Sequence, residues 1–530
     1  MPTPAAVTGP RTHTLAAPFI AISDPTDRTR ATQWALVWIV GFLGLRLAAA
    51  GFAGLGVDES YTLAISRNLQ LSYFDHPPLH QWIVHGLSGM LGYGRAARLP
   101  FVLMFAASSW LLFRFSSRLF GERAGLWAVV ALNLSGFFSV VAGGWIVPDG
   151  PLIFCLLAAA LQLSKIALEE PSSNGVETLK TWLLFGLWLG LAGLSKYQAI
   201  VFALGAAGWV LGTPQARAHL RHPGPYLAVV LAAVIILPVV VWNAQNGWAS
   251  FEFQGGRAVP AHGVRFAAVL PALAGQALLL LPWVFVPLMF AVLQRVPTQE
   301  GSAGRTLCLA LSVPGIVAFA ITPIWGSAAL PHWAMPSWLF AMPLLGNVLA
   351  RTSLNRAWPK AWAACSLAGL LGIWGLMVSD SATGWIGRAW PGAFAKGDPT
   401  LEMVEWLALA PSLASVPEYH RPGLFIVGAK WMDAGKISQA LGQGAEVIVG
   451  SDDPRGFAYG RDIGSLVGRD ALIITTPRQP ASKLSHCFAR TTALAPIGVG
   501  RSGRDELMLS ITLGERLAAS CAWLGRRPAD

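Results

Sequence analysis

The sequence predicts an all-α polytopic membrane bundle of about eleven spans, followed by a small α/β domain outside the membrane. Hydrophobic residues make up 54% of the 530 residues and charged residues only 12%, against about 25% charged in soluble domains. Apolar stretches of spanning length recur as far as residue 379, and normal polarity returns after residue 380. This composition excludes a cytosolic enzyme, a disordered protein and a disulfide scaffold.

The net charge of +11 is spread over short loops along the chain. A nucleic-acid site needs Lys and Arg concentrated in one stripe. We therefore expect no nucleic-acid partner, and we interpret the charge as a signal of membrane orientation.

The predicted spans are runs of roughly 17 to 25 mostly apolar residues. They cover 34–53, 98–118, 124–142, 150–168, 181–194, 197–212, 226–242, 269–293, 306–325, 333–350 and 361–379. The pair 181–194 and 197–212 is short. It could be one broken segment, and that would reverse the direction of every later span.

Arg and Lys concentrate in alternate connections, as they do in cytoplasmic loops. One side holds pairs such as Arg118 with Arg123, whereas the opposite loops 143–149 and 325–332 hold neither residue type. Eleven spans then place the N-terminal tail in the cytoplasm. The predicted organisation is a cytoplasmic tail at 1–33, a membrane domain at 34–379 with outward loops 54–97, 143–149, 243–268 and 325–332, and an outer domain at 380–530.

The region after residue 380 predicts a compact α/β domain. Apolar runs typical of β-strands lie at 423–429, 445–450 and 471–476, and an amphipathic helical stretch at 430–442 separates the first two. Cys487 and Cys521 lie in the same region. They could form a disulfide if the domain is outside the cytoplasm, or remain free thiols.

Polar residues that packing does not explain gather in the outward loops. Acids there can remove a proton from an attacking hydroxyl or hold a metal that does so, and Lys or Arg can hold the phosphate of a leaving group. The candidates are Asp58, Glu59, Tyr73, Asp75, His76, Asp149, Lys196, Tyr197, Arg257 and His262. Arg46 lies inside the first span, where an ionisable side chain needs a partner. We expect it to pair with an acid of the first loop.

Several candidates have a structural alternative. Asp58 could cap a helix that begins near Ser60. Asp149 could cap a helix that begins at Pro151. Lys196 could extend to the lipid headgroups at the end of a short span.

Five loop motifs also occur in a recognisable order. They are DE (58–59), YFDHPP (73–78), PDGP (148–151), GLSKY (193–197) and WNAQNGW (242–248). Together, over roughly residues 34–350, they resemble the glycosyltransferase family 39 and 83 group of bacterial membrane enzymes. That group includes dolichyl-phosphate-mannose protein mannosyltransferases, the lipid A aminoarabinose transferase and the lipid A or core galacturonosyltransferases.

The resemblance implies a type C glycosyltransferase architecture, with the active site at the periplasmic face of the bacterial inner membrane and a polyprenyl-phosphate-linked sugar as donor. Asp58 matches the essential aspartate of the first loop, and Glu59 matches its neighbour. Asp149 matches the acid of the second loop, and Lys196 the lysine proposed to hold the donor phosphate. The aminoarabinose transferases have Glu-Lys where this chain has Asp75-His76, a departure that weakens the transfer of a metal site and is consistent with a different sugar.

We therefore predict an inverting glycosyltransferase of EC class 2.4 that moves a sugar to lipid A, lipopolysaccharide or another glycolipid. The predicted catalytic residues are Asp58, Glu59 and Asp149. The residues predicted to bind donor phosphate or substrate are Lys196, Tyr197, Tyr73, Asp75, His76, Arg257 and Arg46. A divalent metal is left open as a cofactor, with Asp75, His76 and His262 as candidate ligands. The alternatives are a protein O-glycosyltransferase of the same family and, from another class, a lipid-linked sugar flippase or secondary transporter.

Overall fold

The computed structural model describes residues 25–168, 175–257, 263–294, 302–326, 330–354, 356–394, 398–459, 463–477, 481–521 and 524–525. The chain forms a helical bundle as far as Thr383, followed by a domain built on one sheet. This arrangement confirms the predicted fold class.

The helices of the bundle differ widely in length. In the first half they are α1 (Pro25–Phe52), α2 (Val57–Ile65), α3 (Leu79–Leu91), α4 (Leu99–Phe120), α5 (Glu122–Asn133), α6 (Asp149–Leu168), α7 (Gly175–Ser195), α8 (Ala199–Gly212), α9 (Pro214–Arg217) and α10 (Gly224–Gln245). In the second half they are α11 (Ala249–Gly256), α12 (Val269–Leu280), α13 (Pro282–Leu293), α14 (Ser302–Ile321), α15 (Met335–Leu339), α16 (Met342–Thr352) and α17 (Trp358–Thr383).

Seven helices among the described residues are long and apolar enough to cross a membrane, or up to ten if each of three bent pairs is one span. The bent pairs are α8 with α9 (94°), α12 with α13 (113°) and α15 with α16 (54°). The predicted number of eleven is not confirmed, because the stretch 124–142 is interrupted. There α5 ends at Asn133 and a π-helical segment, Phe137–Ala142, follows. Gly136 lies at the break, where a Cβ would meet the Leu279 carbonyl at 3.1 Å.

Small residues let the helices of the bundle approach closely, as is usual in membranes. A Cβ on Gly186 of α7 would lie 2.4 Å from the carbonyl of Ala228 of α10. Gly346 of α16 faces the carbonyl of Ala124 of α5 in the same way, at 2.3 Å. These contacts fix the bundle that supports the loops.

The C-terminal domain contains α18 (Trp385–Ala389), α19 (Leu409–Ala414), α20 (Trp431–Leu441) and strands β1 (Phe425–Gly428), β2 (Val447–Val449), β3 (Ala471–Thr475), β4 (Phe488–Ala493), β5 (Ile497–Arg501) and β6 (Arg504–Leu517). The sheet order is β2-β1-β3-β6-β4, with β5 also paired to β6. The strand β1 runs parallel to β2 and β3, whereas β6 is antiparallel to β3, β4 and β5. A disulfide joins Cys487 to Cys521.

The C-terminal domain packs against α2, and its helix α20 makes the contact. A Cβ on Gly435 would lie 2.9 Å from the backbone nitrogen of Tyr61, so the two helices are in direct contact. The Tyr61 ring packs edge-on against Trp431, with ring centres 5.1 Å apart. Lys436 is buried and donates to the carbonyls of Leu55 and Val404. The helix that carries Asp58 is therefore held by the domain that follows the membrane bundle.

Candidate active site

The adjacent acids Asp58 and Glu59 lie in the first turn of α2, where the helix dipole favours negative charge. Gly56 occupies the N-cap position, so the capping alternative for Asp58 is wrong. Consecutive helical side chains point about 100° apart. As a result Asp58 is exposed, whereas Glu59 is fully buried.

The Asp58 carboxylate has no hydrogen-bond or ion-pair partner in the part of the chain that the structure describes. Solvent reaches it, yet protein surrounds it closely enough that reduced hydration raises its pKa above the usual value of 3.8. Arg455 and Lys196 both lower this pKa by their charge. Asp58 is thus a free carboxylate in a recess that two cations approach.

The carboxylate of Glu59 makes structural contacts with both of its oxygens. It forms a bidentate pair with Arg98, in which Nε lies 2.7 Å from Oε1 and both side chains are almost fully buried. The same oxygens accept from the backbone N–H groups of Gly56 at 2.9 Å and Ile146 at 3.1 Å. Arg98 also donates to the carbonyl of Ala53, just after α1. Glu59 therefore ties α1, α2 and the second loop together and positions Asp58.

Asp149 and Lys196 form a second buried ion pair. The Lys196 Nζ lies 2.8 Å from both carboxylate oxygens of Asp149. Both side chains are less than a tenth exposed, so Lys196 does not extend to the headgroups. Asp149 is itself the first residue of α6, and its oxygens bind Lys196 rather than cap a helix that starts at Pro151.

Asp75 lies in the first loop, where it faces Arg455 of the C-terminal domain. The Tyr61 hydroxyl lies near its carboxylate, and Arg455 Nη1 lies 3.9 Å from Oδ2. Burial raises the pKa of Asp75 to about 6, although the charge of Arg455 and the neighbouring Tyr61 hydroxyl act against this rise. Its Oδ1 atom is buried with no hydrogen-bond partner among the described residues.

His76 and His80 form an edge-to-face pair with ring centres 6.0 Å apart. Burial, reinforced by the charge of Lys196, lowers the pKa of His76 well below 6.5, so its imidazole is neutral at neutral pH. Its Nδ1, like Oδ1 of Asp75, is buried and has no partner in the described ranges. A carboxylate oxygen and a neutral imidazole nitrogen suit a divalent cation. The third candidate ligand, His262, lies outside the described residues.

An aromatic wall, formed by Phe74, Trp242, Phe253 and Tyr459, joins the first loop, the long loop and the C-terminal domain. Phe74 packs against Phe253 and Tyr459, with ring centres 4.6 and 5.7 Å away. Trp242 contacts Tyr459 at 5.0 Å. The guanidinium of Arg257 lies 4.1 Å from the centre of the Phe253 ring, which brings this predicted residue to the same wall.

The hydroxyl groups of Tyr73 and Tyr197, which the sequence predicts to bind substrate, form hydrogen bonds within the protein. Tyr73 is buried and donates to the carbonyl of Asn68 at 3.0 Å. Burial raises its pKa to about 12. The Tyr197 hydroxyl lies 2.6 Å from the Ser250 hydroxyl. These contacts fix the backbone on either side of the recess.

The expected pairing of Arg46 with an acid of the first loop is wrong. Its guanidinium donates to Asn133 at 2.7 Å and to the Ser139 carbonyl and hydroxyl at 3.0 Å. It also lies 4.4 Å from the centre of the Phe105 ring. Polar acceptors at the break after α5 satisfy the charge within the bundle, so no acid is needed.

Three residues that the sequence did not single out as site residues prove central to the geometry. Tyr61 lies near Asp75, and Arg98 pairs with Glu59. The charge of Arg455 acts on Asp58. Arg98 precedes a spanning helix, and an ionisable residue there is a signal that a buried partner exists. No local signal marks Arg455, because its role depends on how the C-terminal domain docks.

The chain is similar to known membrane glycosyltransferases in both sequence and fold. A family model described as dolichyl-phosphate-mannose-protein mannosyltransferase matches residues 75–242. A curated lipid A galacturonosyltransferase, RgtD of Rhizobium johnstonii, is 26% identical over 331 residues. That match covers 61% of this chain and 66% of the relative.

Solved structures match over nearly the whole chain. ArnT from Cupriavidus metallidurans bound to undecaprenyl phosphate has a TM-score of 0.61 at 17% identity, covering 91% of this chain and 98% of that one. The apo form of the same protein gives a TM-score of 0.60 at 18% identity. At such identity the likeness establishes the fold. Together with the ordered loop motifs and the family model that matches residues 75–242, it makes the chain similar to membrane proteins of the glycosyltransferase family 39 and 83 type.

Proposed function

We propose that the chain is an inverting glycosyltransferase that moves a sugar from a polyprenyl-phosphate donor to a glycolipid hydroxyl. The observation that carries the proposal is the carboxylate of Asp58, which is exposed and unpartnered among the described residues, has a raised pKa and lies near two cations. Such a group is able to accept a proton, whereas a carboxylate whose oxygens are already engaged in hydrogen bonds, such as that of Glu59, is not.

In the proposed reaction Asp58 accepts the proton of the acceptor hydroxyl as its oxygen attacks the anomeric carbon. The new bond forms on the face opposite the phosphate. The bond between the anomeric carbon and the phosphate oxygen breaks, and its electron pair leaves with the phosphate. One displacement of this kind inverts the anomeric configuration. Arg257 and Lys196, the latter held by Asp149, supply positive potential where charge develops on the phosphate.

The donor class is supported by the solved relative that binds undecaprenyl phosphate. An isoprenoid tail suits the bilayer beside the bundle, while its phosphate reaches the loops. The bias of Arg and Lys toward alternate loops supports a bacterial inner-membrane protein with its N-terminus in the cytoplasm and its site at the periplasmic face.

Lipid A or lipopolysaccharide is the acceptor that we favour, because the curated relative is by its name a lipid A galacturonosyltransferase. A protein acceptor is the second candidate, since the matching family model is described as a protein mannosyltransferase.

We further propose that a divalent cation binds at Asp75 and His76. The support is their two buried, unpartnered ligand atoms, counted among the described residues. A cation there would offset part of the charge of the donor phosphate. The proton transfer assigned to Asp58 does not pass through it.

The experiment is a transfer assay with the purified chain in detergent, using labelled polyprenyl-phosphate sugars and lipid A. Transfer without a membrane gradient supports the enzyme and contradicts a flippase or secondary transporter. Transfer at the native rate by Asp58→Asn contradicts the assigned base. Mass spectrometry of lipid A and of periplasmic proteins from a deletion strain distinguishes the two acceptors.

A further inference from the structure

Arg455 of the C-terminal domain has an unusual backbone conformation. Its φ of 48° is in the left-handed region, which non-glycine residues occupy only rarely. The following N–H, of Gly456, donates to the Tyr61 hydroxyl at 2.8 Å. A Cβ at position 456 would lie 2.6 Å from that hydroxyl. The turn is therefore fitted against α2, and it brings Arg455 to the recess.

Aromatic rings hold the guanidinium of Arg455, and its Nε donates to the Asp453 carboxylate at 3.3 Å. It lies 4.0 Å from the centre of the Trp431 ring and 5.7 Å from that of Phe253. Its nearest acids are Asp453, at 3.3 Å and more than half exposed, and Asp75, at 3.9 Å. The second distance is too long for a direct hydrogen bond. Stacking holds the guanidinium in place and leaves its Nη donors available to a carboxylate or a phosphate.

Arg257 approaches the same Phe253 ring from the long loop, at 4.1 Å. Among the described residues it has no acid within ion-pair distance. Two guanidinium groups thus lie at the Phe253 ring, Arg257 at 4.1 Å and Arg455 at 5.7 Å from its centre.

The other basic side chains near Asp58 are less available to an anion. Lys196 is already bonded to both oxygens of Asp149. His80 is buried, and its ring lies edge-on to that of His76 with ring centres 6.0 Å apart. Arg257 and Arg455 are therefore the cations with free hydrogen-bonding capacity in the described part of the recess.

We propose that Arg455 is a substrate-contacting residue supplied by the C-terminal domain, and that it binds an anionic group of the donor together with Arg257. The inference rests on the proposed transferase function and extends it to the domain outside the bundle. Two sources provide this chemistry: the phosphate of the polyprenyl carrier, and the carboxylate of a uronic acid sugar. In either case the C-terminal domain completes the donor site.

The test measures two quantities on Arg455→Gln, Arg455→Lys and Arg257→Gln in detergent. One is equilibrium binding of undecaprenyl phosphate without sugar. The other is kcat and KM for a uronyl donor and for a neutral hexosyl donor on the same carrier. Arg421→Gln is the matched control, because Arg421 pairs with Asp470 and Glu515 inside the same domain. Arg95→Gln tests docking, because Arg95 of the first loop bonds Glu405 of the C-terminal domain.

If the anion is the carrier phosphate, Arg455→Gln weakens undecaprenyl phosphate binding by roughly 10- to 100-fold. If it is the sugar carboxylate, carrier binding is retained and KM rises by a similar factor for the uronyl donor only. Lysine keeps the charge without the planar fork, so we expect Arg455→Lys to retain part of the affinity and to remain measurable if the glutamine variant does not fold.

The proposal is overturned if both Arg455 variants match the wild type within twofold in binding and KM, or if KM rises equally for both donors with carrier binding unchanged. It is also overturned if Arg95→Gln reproduces the losses, since they would then follow from docking. Wild-type protein that binds the carrier but transfers no sugar contradicts the transferase function, while the binding arm still decides the role of Arg455.

Discussion

Asp58 and Glu59 are neighbours in sequence, and we expect opposite consequences when each is made neutral. Asp58→Asn removes a charge with almost no change in shape. Its carboxylate has no partner among the described residues, so the free energy of unfolding should change by no more than about 0.5 kcal/mol. Loss of a positioned general base should lower kcat by about 10²- to 10⁴-fold.

Glu59→Gln breaks the buried pair with Arg98, in which both side chains are at most 2% exposed. Removing one partner of a buried ion pair leaves the other charge without compensation and costs about 3–5 kcal/mol. The N–H groups of Gly56 and Ile146 also lose a charged acceptor. We expect the protein to unfold at lower temperature, and activity to fall because α2 is no longer held.

The two effects separate when thermal unfolding, followed by tryptophan fluorescence, is measured beside initial rates of sugar transfer. Glu177→Gln is the control, since Glu177 is an exposed acid in the first turn of α7. It should change neither quantity. The reasoning is refuted if Asp58→Asn is destabilised by several kcal/mol while Glu59→Gln is stable, or if Asp58→Asn keeps the native kcat.

Three further outcomes are expected. Burial raises the pKa of Asp58, and its ionised form is the base. In a pH–rate profile, kcat/KM should therefore fall with decreasing pH, with an apparent pKa above that of an ordinary carboxyl. The charge of Glu402 also raises the pKa of Asp58, so Glu402→Gln should move this fall in kcat/KM to lower pH. Asp149→Asn should destabilise the protein by about 3–5 kcal/mol by leaving Lys196 buried and unpaired, and adding Lys196→Met should recover part of that loss in thermal unfolding. If a divalent cation binds at Asp75, EDTA should reduce the transfer rate and added zinc should restore it, whereas Asp75→Asn should respond to neither; equal rates with and without chelator contradict the metal.

The fold and the acids of the site could be predicted because they are local properties of the sequence. Apolar runs mark the helices, and the order of the loop motifs marks Asp58, Asp149 and Lys196. The break after α5 was not predictable, because hydropathy does not distinguish one helix from two segments of different geometry. The partner of Arg46 was missed for a related reason: uncharged Asn133 and Ser139 satisfy it, and composition points first to acids.

The arrangement of α2 explains how one short helix combines stability with a reactive carboxylate. Its N-terminal dipole favours an ionised side chain at Asp58, while the surrounding protein raises the pKa of the same group. The charge would be unstable if the helix could move. Two contacts prevent that movement: Glu59 with Arg98 below, and Tyr61 with Gly456 of the C-terminal domain beside it. A free base at position 58 therefore requires the fully hydrogen-bonded Glu59 and the docked C-terminal domain. Substitution of Arg98 or Tyr61, which hold α2 through these contacts, should reduce activity without touching the substrate.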